Sequence, residues 1–145
     1  MQKITPFLWF NNQAEEAAKF YCSVFKNSNI TSVSPMIVTF ELEGQKFMAL
    51  NGGPQFKFNE SVSFFVNCET QQEIDYFWEG LTEGGTESQC GWLKDKYGLS
   101  WQIVPNILIK LMSDKDHAKV GRVTEAFLKM KKFDIAALQR AYDGK

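Results

Sequence analysis

The residues that could carry chemistry are few, and their spacing narrows them further. Cys90 stands in QCGWLKD, where Gly91 leaves the backbone beside the thiol open and Trp92 offers a ring on which a ligand could stack. A nucleophilic thiol wants a base to deprotonate it, and no histidine lies near it in sequence. The only histidine is His117, in a segment with helical periodicity. An inert thiol is therefore the expectation. Glu41 and Glu43, two apart in a strand-like run, would face the same side and read as a solvated strand end. Gly52-Gly53 and Gly84-Gly85 punctuate turns, since no glycine-rich strand-to-helix turn of the nucleotide-binding kind accompanies them.

Composition bounds the rest. With 145 residues, 44% hydrophobic and 23% charged, and a net charge of -1, the chain fits one soluble globular domain. One histidine excludes a His-rich metal centre. Cys22, Cys68 and Cys90 are odd in number and form no C-x-x-C pair, which argues against a disulfide framework or zinc ribbon and for a reducing cytoplasm. The N-terminus MQKITPFLWF has no long apolar core, and no apolar run approaches a membrane span. Only Arg122, Arg140 and the cluster Lys129, Lys131 and Lys132 favour nucleic acid, so none is expected as a partner. Thirteen Phe and four Trp could fill a core or line a cavity.

Periodicity gives the elements that would position these residues. Residues 3–10 read as a strand with Pro6 at an edge or opening. Asn12 and Glu15 resemble a capping box before a helix carrying Ala14, Ala17, Ala18, Tyr21, Val24 and Phe25 at helical spacing. Strands are expected at 30–34, 36–43 and 46–51, the last two joined at Glu43-Gly44-Gln45. A turn-rich joint at 51–60, containing Phe56 and Phe58, leads to a strand at 61–67. Thr70 and Glu73 then cap a helix with Ile74, Phe77, Trp78 and Leu81, and ESQCGWLKD and GLSWQIVP flank the turn Lys96-Tyr97-Gly98. Shifted by 56, FLWFNNQAEEAAKFYCSVF from Phe7 overlies SFFVNCETQQEIDYFWEGL from Ser63 in residue class, Asn11 over Asn67. The chain is thus a duplicated unit followed by a helical tail. In the tail, Asp114 or Asp116 opens a helix striped with Val120, Val123, Phe127 and Met130, and Asp134 caps a last one ending at Gly144. The tail is expected on the outer surface of its own sheet, with a partner subunit as the alternative.

A repeated β-α-β-β-β unit with these strings resembles the vicinal oxygen chelate superfamily, which includes glyoxalase and bleomycin-resistance proteins. FFVNCETQQEIDYFW, GGTESQCGWLKDKYGLSWQIVP and AFLKMKKFDIAALQRAY are similar to its PhnB-like subgroup, sequences of which also carry the name 3-demethylubiquinone-9 3-methyltransferase. The resemblance implies an α+β fold of two half-barrel modules, about 3–51 and 61–105, with a helical tail from 106 to 145. It also implies one cavity built from two modules, in many members across a homodimer, that takes a small organic molecule.

In metal-dependent members of the superfamily the ligands are His, Glu or Gln, and by strand order the resemblance places them at Thr5, Met48, Ser61 and Gln102. Two hydroxyls, a thioether and an amide make a poor divalent-metal site, so neither a metal nor another cofactor is expected. Strand alternation would line the cavity with Thr5, Phe7 and Trp9 from the first module. Ser61, Ser63 and Phe65 repeat them in the second, with Ser100, Gln102 and Val104 as a third wall and Cys90 and Trp92 nearby. Such walls suit a flat, partly apolar ligand. Two other classes stay open. One is a lyase, isomerase or transferase using Gln102, Ser63 or Cys90; the other is a structural domain whose own aromatics fill the cavity.

Overall fold

The computed structural model describes residues 2–145, which fall into two compact units, one ending at Phe58 and the other running from Asn59 to Lys145. The division lies inside the joint expected at 51–60.

The first unit runs β1 (Phe7–Phe10), α1 (Ala14–Val24), β2 (Asn29–Val33), β3 (Ile37–Leu42) and β4 (Gln45–Asn51). Its sheet has the order β1-β4-β3-β2, with β1 parallel to β4 and the other pairs antiparallel. Alternation sends Leu8, Phe10, Val38, Phe40, Phe47 and Ala49 into the core, where they meet Ala14, Ala17, Ala18 and Tyr21 of α1. Small residues on that helix face let it lie close to the sheet. Phe7, Trp9, Thr39 and Met48 are left on the opposite face.

Three expectations change here. The first strand begins at Phe7, because Pro6 has no N–H to give a ladder and contributes only its carbonyl, which accepts from Met48 N at 2.9 Å. Asn12 caps nothing: Gln13 occupies the cap position without a side-chain bond, and Asn51 Oδ1 reaches over from β4 to accept from Ala14 N at 2.9 Å. Glu43 is not on a strand but in the turn before β4, at φ +50° with Gly44 at +81°, so it does not share a face with Glu41.

The second unit repeats the plan with β5 (Ser63–Cys68), α2 (Gln71–Thr82), β6 (Thr86–Glu87), β7 (Trp92–Lys94) and β8 (Ser100–Pro105), in the order β5-β8-β7-β6. Ile74, Trp78 and Leu81 of α2 pack on the side that carries Leu93, Trp101 and Ile103, all buried. Thr70 caps α2 as expected, its Oγ1 accepting from Glu73 N at 3.1 Å. Ser61 lies ahead of the strand, bonded to Asn59 Oδ1 through both its N–H and its hydroxyl. ESQCGWLKD is not one strand, since the chain leaves the sheet after Glu87 and returns at Trp92. Asp95 is buried and holds the next turn, accepting from Tyr97 N, Leu99 N and Trp101 Nε1 at 2.9 to 3.1 Å.

The tail holds three helices, α3 (Asn106–Met112), α4 (His117–Phe127) and α5 (Ile135–Asp143). Asp116 and Asp134 are the side-chain caps, and Gly144 ends α5 at φ +76°. Helix α3 is additional to the two helices expected there, although Leu108 and Leu111 at i and i+3 mark its buried face. Met130 lies beyond the end of α4, and Val123 is the fully buried member of that stripe.

Candidate functional site

The face of the second sheet turned away from α2 positions the candidates. Register sets Phe65, Gln102 and Trp92 side by side across β5, β8 and β7, and Ser63, Ser100 and Lys94 in the next row. Gln102 Nε2 donates to Ser63 Oγ at 2.9 Å, which fixes the direction of the amide. Phe65 keeps 46% of its surface exposed although it lies beside two other large side chains. A pocket of about 530 Å³ opens over this row, lined by Phe65, Cys90, Trp92, Gln102 and Val104, and by Leu108, Ile109, Met112, Ser113, Phe127 and Phe133 of the tail. Not one of those residues is charged.

The tail reaches this face by wrapping the end of the sheet. Cys90 N donates to Met130 O and Gly91 N to Lys131 O, both at 2.8 Å. Gln71, at the start of α2, donates to Phe133 O and accepts from Ile135 N at 2.9 and 2.8 Å. A Cβ on Gly91 would stand 2.4 Å from the Phe133 ring, so the close approach needs glycine there, at φ +81°. The expectation that the tail covers the sheet's outer surface is therefore corrected. That side is taken by α2, and α3 and α4 instead wall the opposite one.

A second pocket, of about 570 Å³, shares Cys90 and Trp92 and extends past Ser100 to Glu60, Glu87 and Lys94. Lys94 Nζ lies 2.7 Å from Glu60, and its hydrogen bond holds the Glu60 carboxyl below the usual carboxylate range. Glu87 accepts from Trp78 Nε1 at 2.7 Å. Ser100 Oγ is fully buried and has no hydrogen-bond partner among the described residues. Cys90 adopts φ +58° and its Sγ lies 3.6 Å from Phe127 O. Burial, with Glu73 adding, pushes the Cys68 thiol up to about 12, and burial also raises that of Cys22.

The first unit differs. Thr5 and Met48 line a pocket of about 290 Å³ with Thr31, Thr39, Glu41 and Lys46. Phe7 is half exposed. Trp9 is covered by its own joint: Phe56 meets it edge-on at 4.9 Å, and Trp9 Nε1 donates to Gly53 O at 2.9 Å. Phe58 packs on Phe10. Register sets the equivalences between the modules. Phe7 pairs with Met48 and its repeat counterpart Ser63 with Ser100, so Met48 matches Ser100, while Gln102 matches Leu50.

Two four-stranded βαβββ modules, each with a helix packed on one face of its sheet, define the glyoxalase and bleomycin-resistance class of the vicinal oxygen chelate superfamily. Within it the chain belongs to the 3-demethylubiquinone-9 3-methyltransferase (PhnB) family, whose model matches residues 2–104. A PhnB protein from Bacillus cereus bearing the same methyltransferase name is 38% identical, with TM-score 0.68, over 72% of this chain and 99% of that one. A glyoxalase-related enzyme from Fulvimarina pelagi (13% identity, TM-score 0.52) covers 74% of this chain and 91% of that one. The fosfomycin-resistance protein FosX from Listeria monocytogenes, complexed with Mn(II) and sulfate, shares the fold at 13% identity and TM-score 0.55, over 72% and 91% of the two chains. No curated protein matches.

The groups these relatives suggest do not fit the residues present. Thr5, Met48, Ser61 and Gln102 supply no carboxylate, imidazole or thiolate for a divalent ion. Ser61 already bonds Asn59, and no cluster of three or more His, Cys, Asp or Glu is gathered among the described residues. No helix among them is long and apolar enough to cross a membrane.

Proposed function

We propose that this chain binds a small organic molecule on the open face of its second module and holds it by aromatic stacking and amide hydrogen bonding. The observation that carries this reading is the Phe65–Gln102–Trp92 row beneath a pocket of about 530 Å³ without a charged residue. Ligand pockets have this size and character, largely apolar with a few fixed polar groups. Gln102 is the fixed polar group, oriented by Ser63. The proposal includes a homodimer in a reducing cytoplasm, which sedimentation at micromolar concentration and fractionation check.

A thermal-shift screen with neutral aromatics, charged aromatics and divalent cations tests the reading. A ligand at a hundred times its Kd stabilises the native state by about 2.7 kcal/mol, so neutral aromatics should raise the Tm by several degrees. Trp92→Ala should lose that rise. A flat response to the neutral compounds, or a rise with the cations instead, contradicts it.

A further inference from the structure

The segment beyond residue 104 lies outside the family match, and the Bacillus cereus relative is used up almost entirely by the part of this chain it matches. Yet the tail supplies Leu108, Ile109, Met112 and Phe127 to the pocket over the second sheet. It is not loosely draped there. The main-chain bonds from Cys90 and Gly91, the two-way clasp of Gln71 and the ion pair of Lys132 with Asp75 at 2.8 Å fix it at one end of the sheet. Its own Phe133, Val123 and Leu138 are buried.

We infer that the tail is the specificity-determining wall of this pocket, and that the pocket selects an uncharged, mainly apolar molecule. The inference rests on the binding function proposed above and adds where the ligand is read. The lining offers no counter-ion, and moving a charge out of water without one is costly. In the neighbouring pocket the one cation, Lys94, is already paired with Glu60, and the Glu87 carboxylate is anchored on the neutral Trp78 indole, so no free cation is offered to an anionic ligand. A sheet bearing only Phe65, Trp92 and Gln102 would bind a flat ring on one side. With Ile109, Met112 and Phe127 lining the same pocket, the ring also meets the tail, which decides the size and polarity of what fits.

The test uses the full chain and the neutral fluorophore N-phenyl-1-naphthylamine, with 8-anilino-1-naphthalenesulfonate as its charged counterpart. Ile109 is 54% exposed, so Ile109→Glu puts a carboxylate at the pocket wall without entering the core, and exposed Lys110→Glu on the same helix is the control. The neutral probe should bind the wild type saturably and the sulfonate about tenfold more weakly. Ile109→Glu should weaken the neutral probe about tenfold, with Lys110→Glu unchanged. Equal binding of the two probes overturns the inference. So does loss of binding in Trp92→Ala but not Ile109→Glu, an outcome that leaves the proposed function standing. No binding by any of these proteins fells both. Dimers whose formation through α3 displaces the probe make a second copy the occupant, and overturn the inference as well.

Discussion

The two modules share strand order, strand direction and the side on which the helix packs, yet their open faces end differently. In the first, the seven residues after β4 double back, and Phe56 lands edge-on against Trp9, covering that part of the aromatic face with one of the unit's own rings. In the second, three helices come after β8 and build a wall beside the corresponding face, leaving a pocket. The segment beyond the last strand of each module decides whether its aromatics are covered by their own joint or border a pocket.

The largest break in this comparison should come from Gly91→Ala. The new Cβ meets Phe133 and Ile103 O at a backbone angle hostile to side chains, so we expect a loss of about 3 kcal/mol in urea unfolding and exposure of the tail to proteolysis. Gly52→Ala, which collides with the Trp9 ring in the first module, should cost only about 1 kcal/mol, because Gly52 is not held at positive φ and the ring's cover, Phe56, is itself exposed and can give way. If the two cost the same, the tail is no more tightly seated than the joint.

Asp95→Asn probes the turn that distinguishes the second module's last hairpin. An amide cannot accept from both Trp101 Nε1 and the backbone with two carboxylate oxygens, so about 2 kcal/mol should be lost, read as a lower midpoint in urea. Phe56→Ala removes the ring that covers Trp9 and should cost about 1 kcal/mol while shifting Trp9 emission to the red.

Acid should loosen the tail. Asp75 is held below the usual carboxylate range by hydrogen bonds from Lys132 and then Gln71, and Asp114 by the Tyr142 hydroxyl. A carboxyl depressed in the folded state contributes its stability above the unfolded value and loses it as pH falls through the folded one. The protection of tail amides, relative to their intrinsic exchange at the same pH, should therefore fall below about pH 4, with the change small because both groups are solvent-screened. The smallest effect is expected of Ser100→Ala. Its hydroxyl has no partner to lose, so stability should stay within about 0.5 kcal/mol of wild type.

Both modules are legible in the sequence because burial on one sheet face writes a period of two into each strand and a period of 3.6 into each helix. Thr70, Asp116, Asp134 and Gly144 announce their helix ends in the same way. The hidden features depend on contacts distant in sequence. Asn51 caps α1 from 37 residues away, and nothing local to Asn12 or Gln13 could reveal that. Alternation alone places Phe65, Trp92 and Gln102 on one face. That Leu108, Ile109 and Met112 join them requires knowing that α2 already occupies the other side, and that Gly91 lets Phe133 come close.

The most direct measurement is an amide chemical-shift titration of the full chain with N-phenyl-1-naphthylamine. The account predicts saturable shifts gathered at Phe65, Trp92, Gln102, Leu108 and Met112. Shifts gathered instead around Trp9 and Phe56, or no saturable shifts at all, would contradict it.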